Sequence, residues 1–185
     1  MTPFDRDADA YHLDALCAPL STELSTETRD ALLHFADLVA TWGARTDLVA
    51  ARTPEALLEI LCLDALVLAA GLPKDQTLID VGAGAGAPSL PLALMRPDLH
   101  LTLLEPRRKR VAFMRTAVGA LGLSERVAVR EGRIEGLKNE RFDVALSRAT
   151  FEPAEWLKRA SPIADLVAVL VGTGEPPPGD LAWQQ

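Results

Sequence analysis

Three glycines at alternate positions form the segment of this chain whose residue types point most directly to chemistry. Gly82, Gly84 and Gly86 follow the apolar run 78–81, and Asp80 stands two residues before the first of them. Glycine lets a loop approach a ligand closely and adopt dihedral angles that other residues avoid. A loop of this kind, between a strand and a helix N-terminus, forms a pocket at the carboxyl edge of a parallel sheet. The segment therefore predicts a site for a nucleotide-like ligand.

Two carboxylates narrow the kind of ligand that this loop would hold. Residues 82–87 also satisfy the relaxed dinucleotide pattern G-x-G-x-x-A, which is weak evidence by itself. Asp80 lies inside the end of the predicted strand, where a carboxylate can interact with the amino-acid moiety of S-adenosyl-L-methionine; dinucleotide folds usually keep that position apolar. Glu105 ends the next predicted strand and can accept both ribose hydroxyls, which suits either cofactor. The pattern favours S-adenosyl-L-methionine, with a tight strand–helix connection that binds nothing as the alternative.

A second candidate segment follows the third predicted strand, where class I methyltransferases clamp the adenine ring. Ile134 could cover the ring there, and the backbone near Glu135 could bond its edge. A short surface turn with a solvated glutamate is an equally good interpretation of this region alone.

The fourth predicted strand ends in Ser147 and Arg148, at the edge that normally carries the catalytic residues of a methyltransferase. Neither an Asn-Pro-Pro-Tyr sequence, typical of exocyclic amine methylation, nor a Pro-Cys nucleophile stands here. A polar, cationic tip suits an aromatic ring nitrogen, which already offers its lone pair and needs only alignment with the sulfonium. Arg148 could instead be structural and pair with an aspartate or glutamate.

One dense basic run is a candidate for binding RNA. Its cations are Arg107, Arg108, Lys109 and Arg110, with Arg115 further along the same predicted helix. A solvated helix face is an equally good interpretation. The whole chain has a net charge of −7, and its acidic excess lies within the first 80 residues. Charge therefore neither supports nor excludes a nucleic-acid partner.

The elements that must position these residues follow from hydrophobic periodicity. Residues 10–72 are predicted to be helical, with Thr26 capping a helix over 27–42 and Pro54 opening a second one, which would be sandwiched between the cap and the sheet. Short apolar strands are predicted at 77–81, 99–104, 127–130, 142–146 and 166–171, with helices at 88–95, 107–121 and 153–160 between them. This alternation predicts an α/β fold, a Rossmann-like doubly wound sheet of the class I methyltransferase type. We divide the chain into an N-terminal helical cap (1–73), a core (74–172) and a Pro/Gly-rich tail (173–185).

Composition excludes several other classes. The 185 residues contain no apolar run long enough for a membrane span, and the first residues lack a signal peptide's pattern. Cys17 and Cys62 have no metal or redox spacing and are expected to be buried thiols. The three histidines are scattered, so an oxidoreductase is a distant alternative. We expect a cytoplasmic protein without a metal.

These motifs together resemble the ribosomal RNA small-subunit methyltransferase G family (RsmG, formerly GidB). The likeness runs from about residue 32 to residue 172 and is strongest over 80–93, where Pro88 and Pro91 are more specific than the glycines. The segments 103–105, 109–115 and 142–149 also match family signatures. Family members use S-adenosyl-L-methionine to methylate nitrogen 7 of a guanine in 16S rRNA.

The resemblance implies roles for particular residues. It places Gly82, Ala87, Ile134, Glu135 and Arg148 at cofactor-contacting positions, and it turns the basic helix 107–115 toward RNA in the small ribosomal subunit.

Departures from the family pattern concentrate on the substrate side. Polar or cationic residues of the family are replaced by Gly43, Asp47, Val49, Ile60, Leu61 and Val171. The family also continues for a few dozen residues beyond the equivalent of Gln185, into a closing β-hairpin. We therefore expect a sheet without those last strands, whose open edge self-association could cover.

The sequence thus predicts an S-adenosyl-L-methionine-dependent methyltransferase of the 16S rRNA guanine-N(7) type. Two alternatives stay open: a degenerate module that binds the cofactor or an assembly partner without catalysis, and a methyltransferase that acts on a small molecule.

Overall fold

The computed structural model describes residues 5–43, 46, 48–137 and 139–170. The helices are α1 (Arg6–Cys17), α2 (Thr26–Gly43), α3 (Pro54–Gly71), α4 (Ser89–Met95), α5 (Arg108–Ala120) and α6 (Pro153–Ala160). The strands are β1 (Thr77–Val81), β2 (His100–Glu105), β3 (Val127–Glu131), β4 (Phe142–Arg148) and β5 (Ala164–Leu170). Short 3-10 turns lie at Ala18–Leu20 and Ile134–Gly136. The predicted tail 173–185 lies outside the described residues, and the division of the chain at residue 73 stays a prediction.

The strands form one parallel sheet in the order β3-β2-β1-β4-β5. The chain runs outward from β1 through β2 to β3 and then returns to the other side of β1 through β4 and β5. The strand order therefore reverses between β1 and β4, which is where open α/β sheets bind ligands beyond their carboxyl ends. The glycine loop leaves β1 at this point, so the predicted fold class is confirmed.

The two faces of the sheet carry separate cores, because successive strand side chains point to opposite faces. Leu78 belongs to the larger core, which includes residues of α1 to α5. Ile79 and Val81 belong to a smaller core, which Trp156 of α6 closes from the other face. Burial on both faces explains the nearly continuous apolar runs of the central strands.

The N-terminal helices cover one side of the molecule. Helix α3 begins as predicted: Pro54 is at its start, and the Thr53 hydroxyl accepts the N–H of Ala56 at 3.2 Å. It packs mainly against α4, α1 and α2. The prediction of a helix sandwiched against the sheet was therefore only partly right, since Leu63 and Val67 are exposed on its outer face.

Some boundaries differ from the predictions. Ser25 rather than Thr26 supplies the cap of α2, since its hydroxyl accepts the N–H of Thr28. Strand β5 begins at Ala164, and α1 already begins at Arg6 because Asp5 caps it through the N–H groups of residues 7 and 8. Helix ends depend on such local hydrogen bonds more than on periodicity.

Three further features concern classes of site. None of the helices in the described part of the chain is long and apolar enough to cross a membrane. Cys17 and Cys62 are buried free thiols, as predicted. Within the described ranges, no cluster of His, Cys, Asp and Glu side chains has the composition of a metal site.

Candidate active site

The three glycines of the loop share a positive φ, but each meets different surroundings. Their φ values are 81° at Gly82, 60° at Gly84 and 80° at Gly86, a region that side chains rarely adopt. A Cβ on Gly82 would lie 2.3 Å from Oγ1 of Thr150, and one on Gly86 would lie 2.6 Å from Cδ1 of Leu90. Close packing within the protein therefore requires glycine at both of these positions.

Gly84 is the loop position that leaves room for a ligand. The nearest atom to a Cβ built there is Nη1 of Arg110, at 3.6 Å, and the next is the Gly82 carbonyl oxygen at 3.8 Å. A ligand can approach the backbone at Gly84 without displacing a packed side chain. This narrows the sequence prediction, which treated Gly82, Gly84 and Gly86 alike.

Glu105 lies directly beside this opening. Its Oε2 accepts the N–H of Gly84 at 3.0 Å, and its Oε1 accepts the N–H of Arg107 at 2.9 Å. The side chain is only 3% exposed, so these two bonds orient a carboxylate that little water reaches. Each carboxylate oxygen has a further lone pair for a hydroxyl donor. A buried, oriented acceptor next to an open glycine is compatible with the ribose-binding role predicted for Glu105, and that role stays a prediction.

Asp80 is buried under the same loop, with 1% of its surface exposed. The hydroxyl of Ser89, at the start of α4, donates to its Oδ2 at 2.6 Å. Burial raises the pKa of Asp80 to about 7, with Glu105 adding to the rise, while the Ser89 hydrogen bond and the charge of Arg148 lower it. The hydrogen bond to Oδ2 of Asp80 thus links the end of β1 to the start of α4. A nearby cation, such as the ammonium group of the cofactor, would favour the ionised form.

The tip of β4 is more firmly bound within the protein than the sequence suggested. Ser147 is 6% exposed, and its hydroxyl donates to the Val81 carbonyl at 2.7 Å. This hydrogen bond joins β4 to β1, because the position of Ser147 in the strand points its side chain inward. A catalytic role for Ser147 stays a prediction.

Arg148 makes the ion pair that the sequence left as an alternative. Its Nη1 donates to Oδ2 of Asp64 at 3.0 Å and to the Ile60 carbonyl at 2.6 Å. Both partners lie on α3, which sequence reasoning had not connected with the site. Because Arg148 influences the pKa of Asp80, its charge still acts on the cofactor side. The structure assigns it a structural pairing and leaves a role at the reacting end as a prediction.

The segment predicted to hold the adenine follows β3 and lies next to Glu105. The N–H of Gly132 donates to the Glu105 carbonyl at 3.2 Å, and the turn Ile134–Gly136 follows. Ile134 is 8% exposed and packs in the smaller core. Glu135 is exposed and accepts Nη1 of Arg159 at 2.6 Å, so it also ties this turn to α6. Both interpretations of the segment therefore have support.

Ala87 and Thr150 also lie at the glycine loop. Ala87, predicted to contact the cofactor, is buried in the larger core. Thr150, which sequence reasoning missed, covers Gly82 and is itself exposed. Ala149 before it has a φ of 54°, which is uncommon for a residue other than glycine. The signal available in the sequence was the position of Thr150, two residues beyond the end of β4.

The basic residues of α5 do not form one uniform face. Arg107, Arg108 and Lys109 are exposed at its N-terminal end, where Arg108 pairs with Glu131 at 3.0 Å. Arg115 donates to the Val129 carbonyl at 3.3 Å. Arg110 is half-buried and turned toward Gly84. Helix periodicity turns Arg110 toward the loop, unlike the exposed cations of α5, and the RNA-binding set stays a prediction.

A cavity of about 300 Å³ lies at the opposite end of the sheet, near the starts of the strands. Its lining includes Thr77, His100 and Phe142. Since the glycine loop and the end of β2 are at the carboxyl edge, this cavity is separate from the candidate site.

Comparison with known proteins agrees with this geometry. Residues 28–169 match the family model described as rRNA small subunit methyltransferase G. The chain is 38% identical over 145 residues to the ribosomal RNA small subunit methyltransferase G of Neisseria meningitidis serogroup C (strain FAM18), covering 78% of this chain and 70% of that protein. It is 39% identical over 133 residues to the same-named protein of Nitrosomonas europaea, covering 69% of this chain and 60% of the other.

Solved structures agree on the fold. A S-adenosyl-L-methionine-dependent methyltransferase from Thiobacillus denitrificans, in complex with S-adenosyl-L-homocysteine, superposes with a TM-score of 0.50 at 18% identity. The match covers 57% of this chain and 45% of that one. The resemblance inferred from the motifs is therefore confirmed. The chain belongs to the rRNA small subunit methyltransferase G family and has the fold of the S-adenosyl-L-methionine-dependent methyltransferases.

Proposed function

We propose that this protein transfers the methyl group of S-adenosyl-L-methionine to nitrogen 7 of a guanine in 16S rRNA. The observation that carries the proposal is the open Gly84 beside the buried carboxylate of Glu105, at the reversal point of the sheet. Curated relatives named ribosomal RNA small subunit methyltransferase G support the RNA substrate.

The cofactor side uses groups that the fold already holds in place. Glu105 would accept the ribose hydroxyls, the backbone at Gly84 would lie against the cofactor, and ionised Asp80 would face the ammonium group. Ile134 and the backbone beside Glu135 would hold the adenine, since their turn follows Gly132, which is bonded to Glu105. When bound, the cofactor supplies a methyl group activated by its sulfonium.

The acceptor chemistry needs positioning more than proton transfer. A guanine N7 already carries an available lone pair, so the protein has only to align it with the methyl group. The product of N7 methylation carries a positive charge. Asp64 offsets the positive charge of the Arg148 guanidinium through their 3.0 Å ion pair. The cationic product is therefore repelled less by Arg148 than it would be without Asp64.

The RNA side would use the exposed cations at the start of α5. Arg107, Arg108 and Lys109 lie just beyond Glu105, at the same edge of the sheet as the loop. They stand in the N-terminal turn of the helix, whose positive dipole end also favours phosphate. Contacts with the phosphate backbone would supply much of the affinity and make it depend on salt.

Substitutions on the substrate side motivate the alternatives. The resemblance places an Arg-His pair of the family at Ile60 and Leu61; here Leu61 is fully buried, and the backbone carbonyl of Ile60 accepts a hydrogen bond from Arg148. Neither apolar side chain can make the polar contacts of that pair. Gly43 ends α2. Asp47 and Val171 lie outside the described residues. A degenerate cofactor-binding module and a small-molecule methyltransferase are therefore the outcomes that the experiment must separate.

The test adds labelled S-adenosyl-L-methionine and the protein to small ribosomal subunits that lack this modification. We expect incorporation at one guanine of 16S rRNA, mapped by mass spectrometry, and none on fully modified subunits. Cofactor binding by calorimetry without transfer would indicate the degenerate module. Transfer to a metabolite fraction but not to subunits would indicate a small-molecule enzyme.

Two further statements remain predictions. A ribosomal substrate would place the protein in the cytoplasm. Self-association through the edge of the sheet would involve β5, where Leu166 is 45% exposed. Light scattering on the purified protein measures this directly, and a monomer at micromolar concentration would exclude it.

A further inference from the structure

We propose that Arg110 binds the α-carboxylate of the cofactor, a role separate from the RNA contacts of its neighbours on α5. The proposal rests on S-adenosyl-L-methionine being the ligand of the glycine loop. It assigns one named side chain to the amino-acid end of that ligand.

Arg110 is less exposed to solvent than the other cations at the start of α5. Arg107, Arg108 and Lys109 are exposed, and the side chain of Arg108 is 87% accessible to solvent. Arg110 is half-buried, and its Nη1 is the nearest atom to the Cβ position of Gly84, at 3.6 Å. Gly84 is the loop position that leaves room for a ligand. The guanidinium of Arg110 therefore lies at the border of that room.

Charge identifies which part of the cofactor a guanidinium would bind. S-adenosyl-L-methionine carries two positive groups, the sulfonium and the ammonium, and one negative group, the α-carboxylate. Guanidinium groups pair with carboxylates through parallel N–H···O bonds, and their five donors allow several partners at once.

The surrounding acidic side chains favour such a cationic partner for the α-carboxylate. Asp80 and Glu105 are both buried at this edge, and either one, when ionised, would repel an incoming carboxylate. Arg148 is bound to Asp64 and to the Ile60 carbonyl on α3. The guanidinium of Arg110 lies 3.6 Å from the Cβ position of Gly84, at the open part of the loop. Its positive charge would offset the repulsion between the two acidic side chains and the α-carboxylate of the cofactor.

The experiment measures binding of two ligands to three proteins by calorimetry. The ligands are S-adenosyl-L-homocysteine and its decarboxylated analogue, which keeps the amine and lacks only the carboxylate. The proteins are the natural chain, Arg110→Gln and the control Lys158→Gln, which removes an exposed cation on α6. Hydrogen bonds to charged groups contribute enough to change affinity about tenfold to a hundredfold.

We expect Arg110→Gln to weaken S-adenosyl-L-homocysteine by about tenfold or more and the decarboxylated analogue by less than about threefold. Lys158→Gln should change the affinity for neither ligand. Arg110→Lys keeps the charge without the planar fork, so it should lose less affinity for the carboxylate ligand than Arg110→Gln does.

Other results would overturn the inference. An equal loss for both ligands would mean that Arg110 acts on the loop or on the nucleoside, and no loss would exclude it from the site. If Arg110→Gln does not fold, an equal loss of affinity for both ligands in Arg110→Lys would also overturn the inference. Failure of the natural chain to bind S-adenosyl-L-homocysteine would instead contradict the proposed function.

Discussion

The cofactor side and the substrate side of the candidate site are built from different interactions. On the cofactor side, Glu105 is held by two backbone N–H groups, and Gly84 leaves open space beside it. On the substrate side, Ser147 and Arg148 are bonded to β1 and α3. The first arrangement presents groups to a ligand, whereas the second joins parts of the protein together. Cofactor binding should therefore respond sharply to single substitutions, and RNA binding should respond to each cation only weakly.

The largest effect is expected for Gly84→Val. A valine there would fill the space over the loop and strain a backbone with a φ of 60°, so we expect affinity for S-adenosyl-L-homocysteine to fall below detection by calorimetry. Gly122→Val is the matched control, because Gly122 has a φ of 68° and its Cβ position is also open. Both variants should lose about 1–2 kcal/mol of stability from the backbone strain. Near-natural binding by Gly84→Val would remove this loop from the site.

A smaller effect is expected for Glu105→Gln. The amide keeps one acceptor for the N–H of Gly84 but loses the charge that strengthens bonds to ribose hydroxyls, and it places its own N–H groups near that of Arg107. We expect a loss of about tenfold to a hundredfold in cofactor affinity. Glu131→Gln, which changes an exposed glutamate at the end of the next strand, should leave affinity unchanged. A loss of less than about twofold at Glu105 would contradict its role.

The pH dependence of cofactor binding tests Asp80. Since its folded-state pKa is about 7, ligand binding that uses the ionised carboxylate should weaken by up to about tenfold for each pH unit below 7. Asp80→Asn should abolish this dependence. Calorimetry between pH 5.5 and 8.5 measures it, and a flat profile in the natural chain would separate Asp80 from the ammonium group.

The same group has an opposite effect on the stability of the free protein. The folded-state pKa is above the ordinary value of 3.8, so the folded chain holds the proton more tightly. The contribution of Asp80 to the free energy of unfolding is therefore present at about pH 4 and is lost as the pH rises through about 7. Denaturant unfolding of the natural chain and Asp80→Asn should show this difference.

The smallest effect is expected at the exposed cations. Arg108→Gln should weaken binding to small ribosomal subunits only severalfold. The salt dependence of the affinity should show about one fewer counterion released on binding. Lys158→Gln, which removes an exposed cation on α6, is the control. An equal response to both substitutions would mean that α5 has no special role in binding RNA.

Much of the cofactor side could be predicted from the sequence because it depends on residues close together along the chain. The run from Asp80 through Gly86, with Glu105 at the end of the next strand, follows from periodicity and from the geometry of parallel sheets. The difference among the three glycines could not be predicted. It depends on Thr150 and Arg110, which lie 68 and 26 residues away from Gly82 and Gly84 and reach the loop only through the fold.

The parallel α/β sheet and the family could be predicted from the sequence alone, because the apolar period and the spacing of the glycines are local features of the chain. The partners of the polar side chains, in contrast, are known only from the tertiary structure. Ser147 bonds to Val81, Arg148 pairs with Asp64 on α3, and Arg110 turns toward Gly84. Each of these assignments depends on contacts between elements that are distant in the chain. Hydrogen bonds form between groups that are close in space, whatever their separation in sequence.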